Sequence, residues 1–210
     1  MQSAFASKGV DPTISLNQLR QKIVIPAVNL DDVKLHRWRT VVMTDQTDVS
    51  LIDAMMRSSA APTYFPSYQG YVDGGMAAND PAAFAYAALK NREEVSLLSF
   101  GTGYTENNIP KGEHWGALSW IIDLDPKNPA TKTPLFTMLF DVQDQLPGQT
   151  CQMLLGKNYR RINLKLSESV ALDDAKKIPE LIQDVETYIT QNPKEWEATC
   201  NWVASWGSSH

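Results

Sequence analysis

The chain has 210 residues, a mass of 23.4 kDa, 43% apolar and 20% charged residues, and a formal charge of −5. That composition is ordinary for a folded domain and excludes fibrous or disordered architecture. Two cysteines are too few for a disulfide framework. No basic run is interleaved with aromatics, so nucleic acid is not expected as a partner. The densest basic cluster, Lys157, Arg160, Arg161 and Lys165, reads as the solvated face of a strand. No apolar stretch reaches the roughly 18 residues of a membrane span. The N-terminus lacks the charged and apolar regions of a signal peptide, so a cytoplasmic location is the default, with signal-less secretion left open.

Taken in chain order, residues 1–21 form a lead-in. The run Lys22–Val28 is β-branched and bounded by turn residues, which predicts a buried strand. Thr40–Met43 predicts a second. Ser50 is placed to cap a short helix through Met56. Gly70–Gly75 reads as a short strand entering a tight turn. Asp80 and Pro81 suit the cap and first position of a helix from Ala82 to Lys90. Val95–Phe100 predicts a strand ending in Gly101-Thr102-Gly103, where α/β folds place ligand-contacting loops. Strands and helices therefore alternate, as in an α/β domain.

Residues 106–210 read as mostly helical. One candidate helix spans Trp115 to Leu124. Leu135, Met138, Leu139, Val142 and Leu146 follow helical spacing until Pro147-Gly148, with a resumption from Thr150 to Leu155. Ile162, Leu164 and Leu166 alternate with polar residues, which predicts a half-buried strand. Leu181, Ile182, Val185 and Ile189 mark an amphipathic helix. A last stripe runs through Trp196, Cys200, Val203 and Trp206, with Trp202 off it and suited to a lipid surface. Cys151 and Cys200 read as small core residues of helices. The acidic excess of residues 106–210, with 14 acidic and 10 basic groups, opposes attraction to anionic lipids.

The informative segment is Ala54 to Pro81. It contains Arg57-Ser58-Ser59-Ala60-Ala61-Pro62-Thr63-Tyr64-Phe65-Pro66, then Tyr71-Val72-Asp73-Gly74-Gly75 and Ala78-Asn79-Asp80-Pro81. In this block the chain resembles the patatin-like phospholipase family. Weaker likeness extends over Asn29-Leu30-Asp31-Asp32 before it and Leu97–Gly103 after it, and on to Cys151–Gly156 with Leu172-Asp173-Asp174. The resemblance implies a single three-layer α/β domain over 1–210, a patatin-like sheet flanked by helices. It also implies a lipid acyl hydrolase of the phospholipase A type, acting through a Ser-Asp dyad with no metal or organic cofactor. Asp73 matches the dyad aspartate. A carboxylate on a strand end can take a serine proton if its site raises its pKa. Glycines at 74 and 75 would allow a tight turn.

The family's Gly-x-Ser-x-Gly nucleophile elbow does not occur in the chain. The two glycine pairs with that separation, 70/74 and 112/116, centre on Val72 and His114. The upstream Gly-rich oxyanion loop has no counterpart either. The chain therefore reads as the C-terminal part of a patatin-like enzyme, lacking the nucleophile-bearing segment and inactive alone. Ser58 and Ser59 read as part of a buried turn around Ala60-Ala61-Pro62. His36, His114 and His210 read as surface residues, which leaves no Ser-His-Asp triad. Asp80 stands where the family often has asparagine, and it would raise the Asp73 pKa if the two are close. The expected partners are a phospholipid or other lipid ester, a complementing chain or self-association that covers the exposed sheet, and peripheral membrane contact. The rival reading is a non-catalytic binding or regulatory module on a degenerate patatin scaffold.

Overall fold

A computed structural model describes residues 5, 7–9, 11, 13–89, 94–107, 115–122 and 133–206. His114, His210, Lys90 and residues 123–124 of the expectations above lie outside the described residues. The chain forms two compact units, Met1–Leu97 with Leu135–Asn158, and Leu98–Pro134 with Tyr159–His210. The fold is mixed α/β with small sheets.

The first unit is built on a three-stranded antiparallel sheet. Strand β1 (Val24–Asp32) pairs with β2 (Arg37–Thr44) from Val24↔Thr44 to Asn29↔Arg39, then slips to Asp32↔Arg37. On its other side β1 pairs with β3 (Tyr71–Asp73), giving the order β2-β1-β3. Both first strands run longer than their apolar cores suggest, because they form one hairpin. Its turn is held by Asp32. That carboxylate accepts from the amides of Lys34 and Leu35, each at 3.0 Å, and pairs with Arg39 Nε at 2.7 Å. His36 sits exposed in this turn with φ 49°, as a surface residue.

Leu16, Ala27, Met43, Val49 and Ala54 form the core of this unit. Residues 14–19 are tied into it: the Leu16 amide donates to Val49 O at 3.1 Å, and the Leu51 amide to Ile14 O at 2.8 Å. Helix α1 (Leu51–Ser58) covers the sheet with Ala54 inward. Ser50 caps it as expected, its Oγ accepting from the Asp53 amide at 3.1 Å. Ser50→Ala should lower stability by about 1 kcal/mol in urea unfolding. A single turn, α2 (Gly75–Ala78), follows β3, and α3 (Ala82–Leu89) starts at the expected Asp80 cap, whose Oδ1 accepts from the Ala82 amide at 2.9 Å.

Strand β4 (Leu97–Phe100) and helix α4 (Ala117–Ile121) follow. Helix α5 (Pro134–Leu155) corrects the expected break, since it runs on through Pro147. Its buried positions are Pro134, Gly148 and Cys151, while Leu135, Leu139, Val142 and Leu146 face outward. The small residues, not the leucine stripe, mark the inward face.

In the second unit β4 pairs with β5 (Tyr159–Ile162), which begins and ends earlier than the alternation at 161–166 suggested. The ladder is intercepted at Asn163, whose Oδ1 accepts the Gly103 amide at 2.8 Å, and it resumes as Tyr104 N to Leu164 O at 2.9 Å. The glycines of Gly101-Thr102-Gly103 are needed for packing: a Cβ at 101 would strike Asn163, and one at 103 would lie 2.6 Å from Leu166 Cδ2. The basic cluster beside them is engaged. Arg161 donates to Ser99 Oγ at 2.6 Å, and Lys165 pairs with Glu106 at 2.8 Å.

Helices α6 (Ile178–Gln191) and α7 (Pro193–Ser205) complete the unit. In α7 the buried residue is Thr199, and Cys200 is exposed, which corrects the expected core role of that cysteine. Arg160 sets the helix rotation, donating to Thr199 Oγ1 at 3.0 Å and stacking 5.1 Å from the Trp202 ring. Trp202 is thus half-buried beneath Arg160 and against Trp206. Among the described residues no helix is long and apolar enough to cross a membrane.

Candidate functional site

Asp73 closes β3. Its backbone is held from two sides. Toward the sheet it pairs with fully buried Ala27, and on the other side its amide donates to Ala60 O at 3.1 Å. The next amide, Gly74 N, donates to Ser58 O at 3.1 Å. The end of α1 therefore supplies the second wall of the Asp73 turn.

The two glycines have different jobs. Gly74 has ordinary helical angles, φ −64° and ψ −26°, so left-handed freedom is not what it supplies. A Cβ there would lie 2.8 Å from Pro26 C, 2.9 Å from Pro26 Cγ and closer still to Pro26 O. Gly74 is a close-approach residue between β1 and the turn. At Gly75 a Cβ would meet the Asp73 carboxylate itself, 2.8 Å from Oδ1, and Asn79 Oδ1 at 3.3 Å.

The Asp73 side chain is half-buried. Its Oδ1 accepts the Gly75 amide at 2.5 Å. Among the described residues Oδ2 accepts no hydrogen bond. Burial pushes the carboxyl above its ordinary value, and the Gly75 amide opposes that rise. Loss of water around a carboxylate disfavours the charged form and makes it a better proton acceptor once ionised. Asp80 is not among the influences on Asp73. Its carboxylate caps α3 and instead helps raise the Cys151 thiol pKa, after burial as the larger cause.

Among the described residues, neither neighbouring serine side chain hydrogen-bonds to Asp73. Ser59 is exposed and donates its hydroxyl back to Met55 O at 2.7 Å. Ser58 contributes a carbonyl to the turn. Of the expected buried turn, only Ala60 is buried, and Pro62 is exposed. Among the described residues, no group of three or more His, Cys, Asp or Glu is placed to hold a metal ion.

A shallow cleft of about 520 Å³ opens at the other end of β3, lined by Asn29, Asp31, Lys34, Arg39, Gln69 and Tyr71 among others; Asp73 does not line it. Between this end and α1 lies a polar network that sequence reasoning missed. Asp53, Arg57, Tyr68 and Gln69 are its members. One signal was available: Asp53 and Arg57 are spaced to share a helix face.

The Patatin-like phospholipase family model matches residues 3–86. Over 157 residues the chain is 31% identical to "Putative sporulation hydrolase CotR" of Bacillus subtilis (strain 168), covering 69% of this chain and 49% of that protein. It is 40% identical over 106 residues to a cGAMP-activated phospholipase of Escherichia coli (strain TW11681), covering 42% and 30% of the two chains. It is 27% identical over 143 residues to patatin-like protein 1 of Arabidopsis thaliana, covering 51% and 34%. The matches to these three relatives span half of their length or less.

Proposed function

We propose, for a chain homologous to the patatin-like phospholipases over residues 3–86, that Asp73 is the general base of a Ser-Asp dyad hydrolysing acyl esters of lipids. The observation that carries this reading is the state of the Asp73 carboxyl. One oxygen is anchored by Gly75, the other is open among the described residues, and burial raises the pKa. The serine comes from outside these 210 residues, since no Gly-x-Ser-x-Gly occurs within them.

In the reaction, Asp73 Oδ2 takes the serine hydroxyl proton as Oγ adds to the ester carbonyl. The departing alcohol receives that proton when the C–O bond breaks, leaving an acyl-serine. Water then gives a proton to Asp73 and adds to the acyl carbon. The serine recovers the proton as the carboxylic acid leaves. The segment bringing the serine would extend the small sheet of the first unit toward the three-layer patatin arrangement. A complementing chain or self-association would cover its strand edges, and contact with a lipid surface would be peripheral.

A p-nitrophenyl ester assay on the purified chain tests this. Turnover is expected to equal buffer, and to rise when a polypeptide carrying the elbow is added. Turnover by the chain alone that disappears in Asp73→Ala would overturn the placement of the serine outside these residues, and turnover in the complemented assembly that survives Asp73→Ala would overturn Asp73 as the base. The missing elbow also favours a second reading, a non-catalytic binding module. That reading gains if the complemented assembly stays silent.

A further inference from the structure

We propose that Asp53, Arg57, Tyr68 and Gln69 form a positioning clamp that fixes where the Asp73 carboxyl sits, an inference whose functional meaning rests on Asp73 being the base. The clamp starts from a hairpin turn. Tyr68 and Tyr71 exchange amide hydrogen bonds, both 2.9 Å, around Gln69 and Gly70, whose φ angles are 51° and 78°. Two successive positive φ values mark a type I′ turn, whose first position favours Asn, Asp or Gly. Glutamine is costly there, so its side chain needs a reason.

The reason is a two-sided bridge. Gln69 Oε1 accepts from Arg57 Nε at 3.0 Å and Nη2 at 2.6 Å, while its Nε2 donates to Asp53 Oδ1 at 3.1 Å. Tyr68 OH donates to the same Asp53 oxygen at 2.8 Å, and Ser50 Oγ to Asp53 Oδ2 at 2.7 Å. The Arg57 guanidinium lies 4.4 Å over the Tyr71 ring. Asp53 and Arg57 are one helical turn apart on α1, so the bridge locks α1 to the turn preceding β3.

That registration reaches Asp73 by a short route. Strand β3 is three residues long, and the last carbonyls of the α1 end, Ser58 O and Ala60 O, hold the Gly74 and Asp73 amides. Helix α1 and the residues just after it therefore hold β3 at both ends, the bridge at the turn before it and the two carbonyls at the carboxylate-bearing turn after it. If α1 slides against β3, the Asp73 backbone loses its outer wall. The hydrogen bonds that the Asp53 carboxylate accepts, from Ser50 and Tyr68 most of all, hold it below the ordinary range, so the clamp is ionised and assembled at neutral pH.

The test is the titration of the Asp73 carboxyl carbon by NMR in the full chain. Gln69→Gly suits the I′ turn better than glutamine while removing the bridge, and Arg57→Ala cuts the same bridge from α1. In both variants the Asp73 midpoint should fall toward the ordinary carboxylate value, as water enters the loosened turn. Asp32→Asn, which weakens the β1–β2 hairpin instead, should leave it in place. An unchanged midpoint in both clamp variants, or an equal fall in Asp32→Asn, overturns the clamp. Failure of the underlying reading looks different: Asp73→Asn would leave ester turnover intact in a hydrolysing assembly, while the titration still judges the clamp.

Discussion

Gly74→Ala is expected to cost roughly 3 kcal/mol of stability, at the upper end of what overpacking usually costs. The added methyl would meet the backbone of Pro26 and its ring. Neither side can retreat cheaply. Pro26 lies within β1 and pairs with Val42, while the next residue, Ala27, pairs with Asp73. Separating the Gly74 turn from β1 therefore means breaking the β1–β3 ladder at the site itself. Gly75→Ala poses a different obstruction, the Asp73 carboxylate, which can rotate. It should unfold closer to wild type yet displace the carboxyl from its anchoring amide. Urea unfolding of the two variants separates these effects. A loss below about 1 kcal/mol for Gly74→Ala would show that β1 gives way more easily than this packing allows.

Asp73→Asn should separate stability from chemistry. Burial raises the carboxyl pKa in the folded chain, so the folded state binds a proton more tightly than the unfolded state does. Stability conferred by that proton is complete below the ordinary carboxylate value. It declines as pH rises toward the raised folded value, and at neutral pH the wild type carries a half-buried charge. Asparagine keeps an oxygen for the Gly75 amide and carries no charge. The variant should therefore gain on the wild type between pH 3 and pH 7 in parallel urea titrations. In an ester-hydrolysing assembly, the same change should reduce turnover by about 10²–10⁴-fold, the usual worth of a general base. A variant that loses ground at pH 7 relative to pH 3 would mean the charged form is favoured in the fold, contrary to burial as the dominant influence.

Local signals were legible wherever the partners lie within a few residues. The Ser50 cap, the Asp80 cap before Pro81 and the short strand ending at Asp73 all appear as expected, because capping geometry is set by neighbours two or three positions away. Inward faces were less legible. Helix α5 turns Gly148 and Cys151 inward and leaves its leucines out, a choice no apolar count reveals. In α7, Arg160 draws Thr199 into the buried position beside Cys200, through a hydrogen bond between residues far apart in sequence. The β5 ladder stops where the Asn163 side chain takes the Gly103 amide, again a partner distant in sequence.

By itself the sequence determined that Asp73 stands at the end of a short strand, that two glycines follow it and that no Gly-x-Ser-x-Gly occurs in these residues. Those are properties of short runs and need no third dimension. Only the tertiary structure decided what surrounds that carboxylate. Gly74 is required by the backbone of Pro26, 48 positions earlier, and not by its own dihedral angles. The raised pKa and the bridge from α1 through Gln69 arise from burial and from hydrogen bonds between separated segments. Proton affinity depends on solvent exclusion and neighbouring dipoles, and those exist only once β1, α1 and β3 have packed around the same turn.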